Sequence, residues 1–287
     1  MKMLRLSTAF LALTGLSIAC LSRCGGATVE SKVTIKSAQE EESGGGGGAG
    51  GGGGGGSSSP SEAVEGGIGT LTGTVTFDGT APVLAALIQQ GENVRDGEVC
   101  AAQAVPDESL VVNDGRVANV FIYLERAPAG DVPAPPSEPA VFDQKGCRFI
   151  PHAMSVQVGR DLLVKSDDAI AHNTHTFPQR NTPFNSVVSP NDRNGVKLEY
   201  SKPEKTPIRV ICDFHSWMIA YHLPLDHPYF AVSGDDGTFR IENLPSGKHK
   251  FRIWHEKAGY LDRGYEVTIN PDEETDITLS YGPDAFA

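Results

Sequence analysis

From residue 67 onward, apolar and polar side chains alternate in short runs. LTGTVTFDG (71–79), ANVFIYLE (118–125), SVQVG (155–159), DLLVKS (161–166), IRVIC (208–212), TFRIE (238–242), KFRIWH (250–255), YEVTIN (265–270) and TDITLS (275–280) are rich in β-branched or aromatic residues, and Gly, Pro, Asn or Asp separates them. A period of two over such short runs predicts strands with one buried face. Helical periodicity is scarce, so the pattern predicts an all-β body folded as a sandwich or barrel. APAGDVPAPPSEPA (127–140) breaks the alternation and predicts a loop at a boundary between units.

The N-terminal part follows a different pattern. MKMLRLSTAFLALTGLSIAC places Lys2 and Arg5 before an apolar run, with small residues before Cys20. This is the layout of a secretory signal, too short and too lightly flanked for a membrane span. Ser-Ile-Ala-Cys at 17–20 resembles a bacterial lipoprotein box, which implies a lipid on Cys20; Cys24, preceded by Arg23, is the alternative. Residues 21–66 include a glycine run over 44–56 broken only by Ala49. Such a segment has little to bury and is expected to be a disordered tether. The expected location is therefore outside the cytoplasm, in the periplasm or at the cell surface, with a lipid as the only membrane attachment.

The formal charge of −12 argues against nucleic acid and anionic lipid surfaces as partners. Of five cysteines, Cys100, Cys147 and Cys212 lie in the body. In an oxidising compartment two should pair, and parity alone allows three pairings. Cys212 has a ligand-like setting, which leaves Cys100 to pair with Cys147.

That setting is RVICDFHSWMIAYHL (209–223), where Cys212, His215 and Met218 fall within seven residues. Alternation puts Ile208, Val210 and Cys212 on one strand face. A thiolate at a strand end, with an imidazole and a thioether on the next loop, supplies three donors of a blue-copper set; the fourth must be another histidine. AIAHNTHTF offers His172 or His175. One Cys, two His and a Met make a poor zinc set. No His-x-His pair, Gly-x-Ser-x-Gly or His-Glu-x-x-His occurs, so an enzyme is not expected. His152, His222, His227, His249 and His255 have no ligand spacing and are expected to be structural.

CRFIPHAMSVQVGRDLLVKSDDAIAHNTHTF and VICDFHSWMIAYHLPL together resemble a cupredoxin of the amicyanin type, over roughly 145–225. The resemblance implies a Greek-key sandwich holding one type 1 copper through His172, Cys212, His215 and Met218. It also implies that Asn173 ties the two ligand loops together and that His175 is not a ligand. Phe214 and Trp217, flanking His215, would belong to an apolar electron-transfer patch where a redox protein partner docks. Phe214 and Ala171 stand where that type carries proline, which bears on loop rigidity rather than ligation. The implied function is one-electron transfer.

A second resemblance flanks the first. GTLTGTVTFDGTAP and FAVSGDDGTFRIENLPSGKHKFRIWHEKAGY are similar to two parts of a carboxypeptidase-regulatory, transthyretin-like β-sandwich, through Gly73, Val75, Gly79, Asp236, Gly237, Phe239, Ile241, Leu244, Pro245 and Gly247. The implied organisation is a signal at 1–20, a linker at 21–66, this sandwich formed by 67–130 and 226–287, and a cupredoxin domain at 131–225 inserted within it. Related modules bind polysaccharide, so the competing expectation is a binding module with a vestigial copper domain. A third is copper storage or delivery.

Overall fold

The computed structural model describes residues 66–287 and the backbone of 32–36. The signal, Cys20, Cys24 and most of the expected tether lie outside the described residues. Among the described residues no helix is long and apolar enough to cross a membrane.

The protein is all-β, with two sandwiches of two sheets each. In the outer sandwich, strand Ile68–Phe77 is central to the first sheet. It pairs in parallel with Glu274–Tyr281 and antiparallel with Thr238–Pro245. The second sheet contains Phe230–Val232, Phe121–Leu124, Gly247–His255 and Gly259–Ile269 in that order. Leu71, Val75, Ile122, Ile241, Phe251, Ile269 and Leu279 fill the space between the sheets. The turn signals have physical causes here. Gly237 has φ +71° in the hairpin before Thr238, where a side chain is strained. A Cβ at Gly73 would lie 2.6 Å from the Phe239 ring, so the strands meet closely only because glycine is there.

Within the expected tether across 21–66, the structure describes the backbone of one short segment. Lys32–Lys36 (KVTIK) is a strand, antiparallel to Glu274–Tyr281.

The inner sandwich runs from Ala140 to Leu225. One sheet orders Asn185–Val188, His172–Thr176, Ile208–Ile211, Ile219–Leu225 and Ala153–Gln157; the other orders Val196–Leu198, Leu162–Val164, Ala140–Gln144 and Phe149–Ile150. Phe142, Phe149, Val156, Leu162, Val164 and Val210 form its core. The chain leaves the outer sandwich after Phe121–Leu124 and returns at Phe230–Val232, and these two strands pair with each other. Exit and entry are thus neighbours, which lets the inner unit sit between two halves of the outer one.

Phe121–Leu124 is buried on both faces. Ile122 and Leu124 face the outer core, while Phe121 and Tyr123 join Leu223, Leu225, Ala153 and Trp254 in a cluster between the sandwiches. That arrangement explains why FIYL lacks polar alternation. His152 adds an ion pair to Glu256 across the same junction.

Residues 87–105, expected within the outer sandwich, lie against the inner one instead. Backbone hydrogen bonds between Ile88 and Val105 and from Gly91 N–H to Ala101 close them into a loop. The loop contains one helical turn, Gly97–Cys100, and a Cys100–Cys147 disulfide fastens it to the inner sandwich. Its apolar residues Ile88, Ala101 and Val105 find their cover on Trp217, which accounts for the placement.

Candidate metal centre

His172 begins the strand His172–Thr176, and Cys212 directly follows the strand Ile208–Ile211. These strands are neighbours in one sheet, with His175 paired to Ile211. The loop after Cys212 folds back on itself: Cys212 N–H donates to Met218 O at 3.2 Å, and Met218 N–H donates to His215 O at 2.9 Å. It turns His215 inward.

Three donor atoms converge as a result. The Nδ1 atoms of His172 and His215 lie 3.0 Å apart, and Cys212 Sγ is 4.0 Å from the first and 3.7 Å from the second. All three residues are fully buried. The point equidistant from these atoms lies about 2.1 Å from each, which matches metal–nitrogen and metal–sulfur bonds of about 2.0–2.3 Å. The donor set fits a single small transition-metal ion. Met218 is buried in the same core cluster as Cys212, held by the loop's backbone bonds.

The electrostatics favour a thiolate. Burial pushes the Cys212 thiol up, but His172, His215 and the N–H groups of Asn173 and His215 outweigh it and bring it down to about 6. Burial lowers His172, while Asp168 and Cys212 together raise it to about 9. The sulfur therefore sits in a positive surrounding, the condition under which a cysteine is a ligand rather than an inert core group.

Asn173 lies between the two ligand segments. Its Oδ1 accepts from Asp213 N–H at 2.7 Å, and its Nδ2 donates to Asp213 Oδ2 at 2.7 Å and to Asn185 Oδ1 at 2.8 Å. His175 points the other way. It is half-exposed and faces the Asp213 carboxylate at 3.2 Å. Three residues apart on a strand means opposite faces, so His172 and His175 cannot both reach Cys212.

Two carboxylates that the sequence reading did not single out hold the outer nitrogens. Asp168 Oδ2 lies 2.9 Å from His172 Nε2 and accepts from Cys147 N–H at 2.9 Å, while its Oδ1 accepts from Gly146 N–H at 2.6 Å. Burial raises the Asp168 carboxyl, but these contacts prevail and hold it below its ordinary value. Asp96 Oδ2 lies 3.0 Å from His215 Nε2. A carboxylate can only accept, so each contact places an N–H on Nε2 and leaves Nδ1 as the atom turned to the centre. Asp168 could have been suspected from its place four residues before His172. Asp96 is 119 residues from His215 and leaves no local signal.

The expectation that Phe214 and Trp217 form an open apolar patch beside His215 needs correction. His215 has 0% exposure. The Trp217 ring lies on it at 5.2 Å between centroids and is itself covered by Ile88, Ala101 and Val105. The Arg95 guanidinium lies 4.8 Å over the Phe214 ring. Two large apolar side chains on one loop gain more from being covered than from facing water, and the stapled loop supplies the cover.

No family profile matches this sequence, and no curated protein matches it. Several solved structures are similar in part. A Cu-containing nitrite reductase from Thermus scotoductus SA-01 is 17% identical over 35% of this chain and 25% of its own, with a TM-score of 0.29. This chain thus spans about a quarter of that protein. A purple cupredoxin from Nitrosopumilus maritimus is 18% identical over 30% of this chain and 99% of its own, TM-score 0.24. A reduced amicyanin variant is 14% identical over 37% of this chain and 99% of its own, TM-score 0.27.

Proposed function

We propose that this is an exported copper protein whose inner sandwich carries single electrons through one type 1 centre, held by His172, Cys212, His215 and Met218. The observation that carries the reading is the buried triangle of two Nδ1 atoms and one Sγ, drawn from two separate segments. Two neutral imidazoles, a thiolate and a thioether suit copper in both of its common oxidation states. Copper bound there would supply a one-electron Cu(II)/Cu(I) couple.

The chain's own residues do the rest. Cys212 would meet the ion as a thiolate and bring a negative charge into a buried site. Asp168 holds the His172 ring, while Asn173 ties its strand to the Cys212 loop. Phe214, Trp217 and the stapled loop keep water out. Donors fixed in this way change position little between oxidation states, which keeps the reorganisation cost of electron transfer low.

The N-terminal signal, a lipid on Cys20 and the glycine-rich linker would place this carrier at a membrane surface outside the cytoplasm, within reach of a redox protein partner. Nothing in the described site favours nucleic acid as a partner. Protein-film voltammetry tests the carrier reading. A reversible one-electron wave, stable over many cycles with copper retained against a chelator, is expected. Metal stripped by the chelator on reduction would point to delivery instead.

A further inference from the structure

The contact between Asp96 and His215 joins parts of the chain that nothing local brings together. Asp96 sits at the head of the single helical turn Gly97–Cys100, with φ 53°. Three anchors hold it there. Cys100, four residues on, is bonded to Cys147. Arg95 lies over Phe214. Ile88, Ala101 and Val105 cover Trp217. Cys147 in turn donates its N–H to Asp168, the carboxylate on the other histidine. One disulfide thus joins the supports of both imidazoles.

We propose that Asp96 is a positioning residue of the copper centre, a carboxylate clamp on the outer nitrogen of His215 that favours the cupric over the cuprous state. The inference rests on the copper reading above. Its physical basis is the hydrogen bond from Nε2–H to a carboxylate, which makes the opposite nitrogen a stronger donor. A stronger donor stabilises the more highly charged ion, and Arg95 Nε, 3.5 Å from the same Asp96 Oδ2, offsets part of the carboxylate's charge. Reduction adds one electron to the centre; no bond to Asp96 forms or breaks. The clamp also opposes rotation of the His215 ring away from Cys212. Because the Asp96 side chain is 37% exposed, water screens part of its charge, and the effect is moderate.

Asp96→Asn is the test, since asparagine keeps the size and tolerates a positive φ. The expected result is a blue protein whose Cu(II)/Cu(I) equilibrium shifts about tenfold toward Cu(I), a rise of about 59 mV for a one-electron couple. Glu98→Gln, on the same loop but exposed, is the control and should shift it less than about twofold. A blue Asp96→Asn protein with an unchanged potential overturns the clamp. A second readout needs no copper: in the metal-free protein the His215 Nε2 proton should exchange slowly and be lost to rapid exchange in Asp96→Ala. Equal exchange in the two proteins overturns the clamp even if copper never binds. A colourless parent protein with a protected proton defeats the copper reading and leaves the clamp standing.

Discussion

The two sandwiches bury polar groups in different ways. In the outer one Ser233 and His227 are satisfied by backbone alone. Ser233 Oγ donates to Val117 O and accepts from Val120 N–H, and His227 Nε2 faces Leu124 O at 3.1 Å. In the inner one His172, Cys212 and His215 face one another and are held from behind by Asp168 and Asp96. A buried histidine is unremarkable when the backbone uses it up. Two that present free donor atoms to a buried thiol indicate a site. Convergence, rather than burial, separates the two regions.

The comparison breaks most sharply at Cys212. Cys212→Ser should abolish the visible charge-transfer band entirely while the far-ultraviolet circular dichroism of both sandwiches stays as in the parent. Retained colour would mean that the sulfur is not a ligand. Next in size is Phe251→Ala in the outer core, where the side chain is fully buried. It should cost about 3–5 kcal/mol in urea unfolding. The band position should not move, since the change is on the far side of the junction; a shifted band would show that the regions are not separable.

Opening the disulfide with Cys100→Ala and Cys147→Ala acts on the inner sandwich. The bond spans 47 residues, for which loop closure predicts about 4 kcal/mol of stabilisation. Denaturation of the double variant against the parent measures it, and equal midpoints would contradict the loop's role as a staple.

A smaller effect depends on pH. Burial holds His222 at about 3 and, as the main cause, His255 at about 4, one in each sandwich. Both are neutral when folded, and in the unfolded chain both take up a proton near pH 6.5. The unfolded state binds more protons below that pH, so stability present above 6.5 is lost as pH falls toward 4. His222→Gln should flatten the fall in melting temperature between pH 6.5 and 4; an unchanged slope would count against it. The smallest expected effect is that of His175→Ala, which should leave the colour intact because His175 lies on the opposite strand face.

Much of this was readable from the chain because its causes are local. Strand alternation puts Cys212 on one face with Ile208 and Val210, and the likeness of HNTHTF to the amicyanin type, rather than alternation, separates His172 from His175. Gly237 is legible as a turn from the Asp-Asp-Gly run, whereas Gly73, inside a strand, answers to the distant Phe239 and Ile277. What the chain did not disclose is tertiary. Residues 87–105 carry no strong periodicity; the Cys100–Cys147 pairing was expected, but not that it lays this loop over Trp217. Asp96 owes its role to that position alone.

The central claim is that two nitrogens and one sulfur bind a single copper ion. Cu(II) titration of the purified chain, followed by visible absorption, tests it most directly. The expected result is an intense sulfur-to-copper band that rises to saturation at one equivalent and bleaches with ascorbate. A protein that stays colourless, or binds copper without that band, would contradict it.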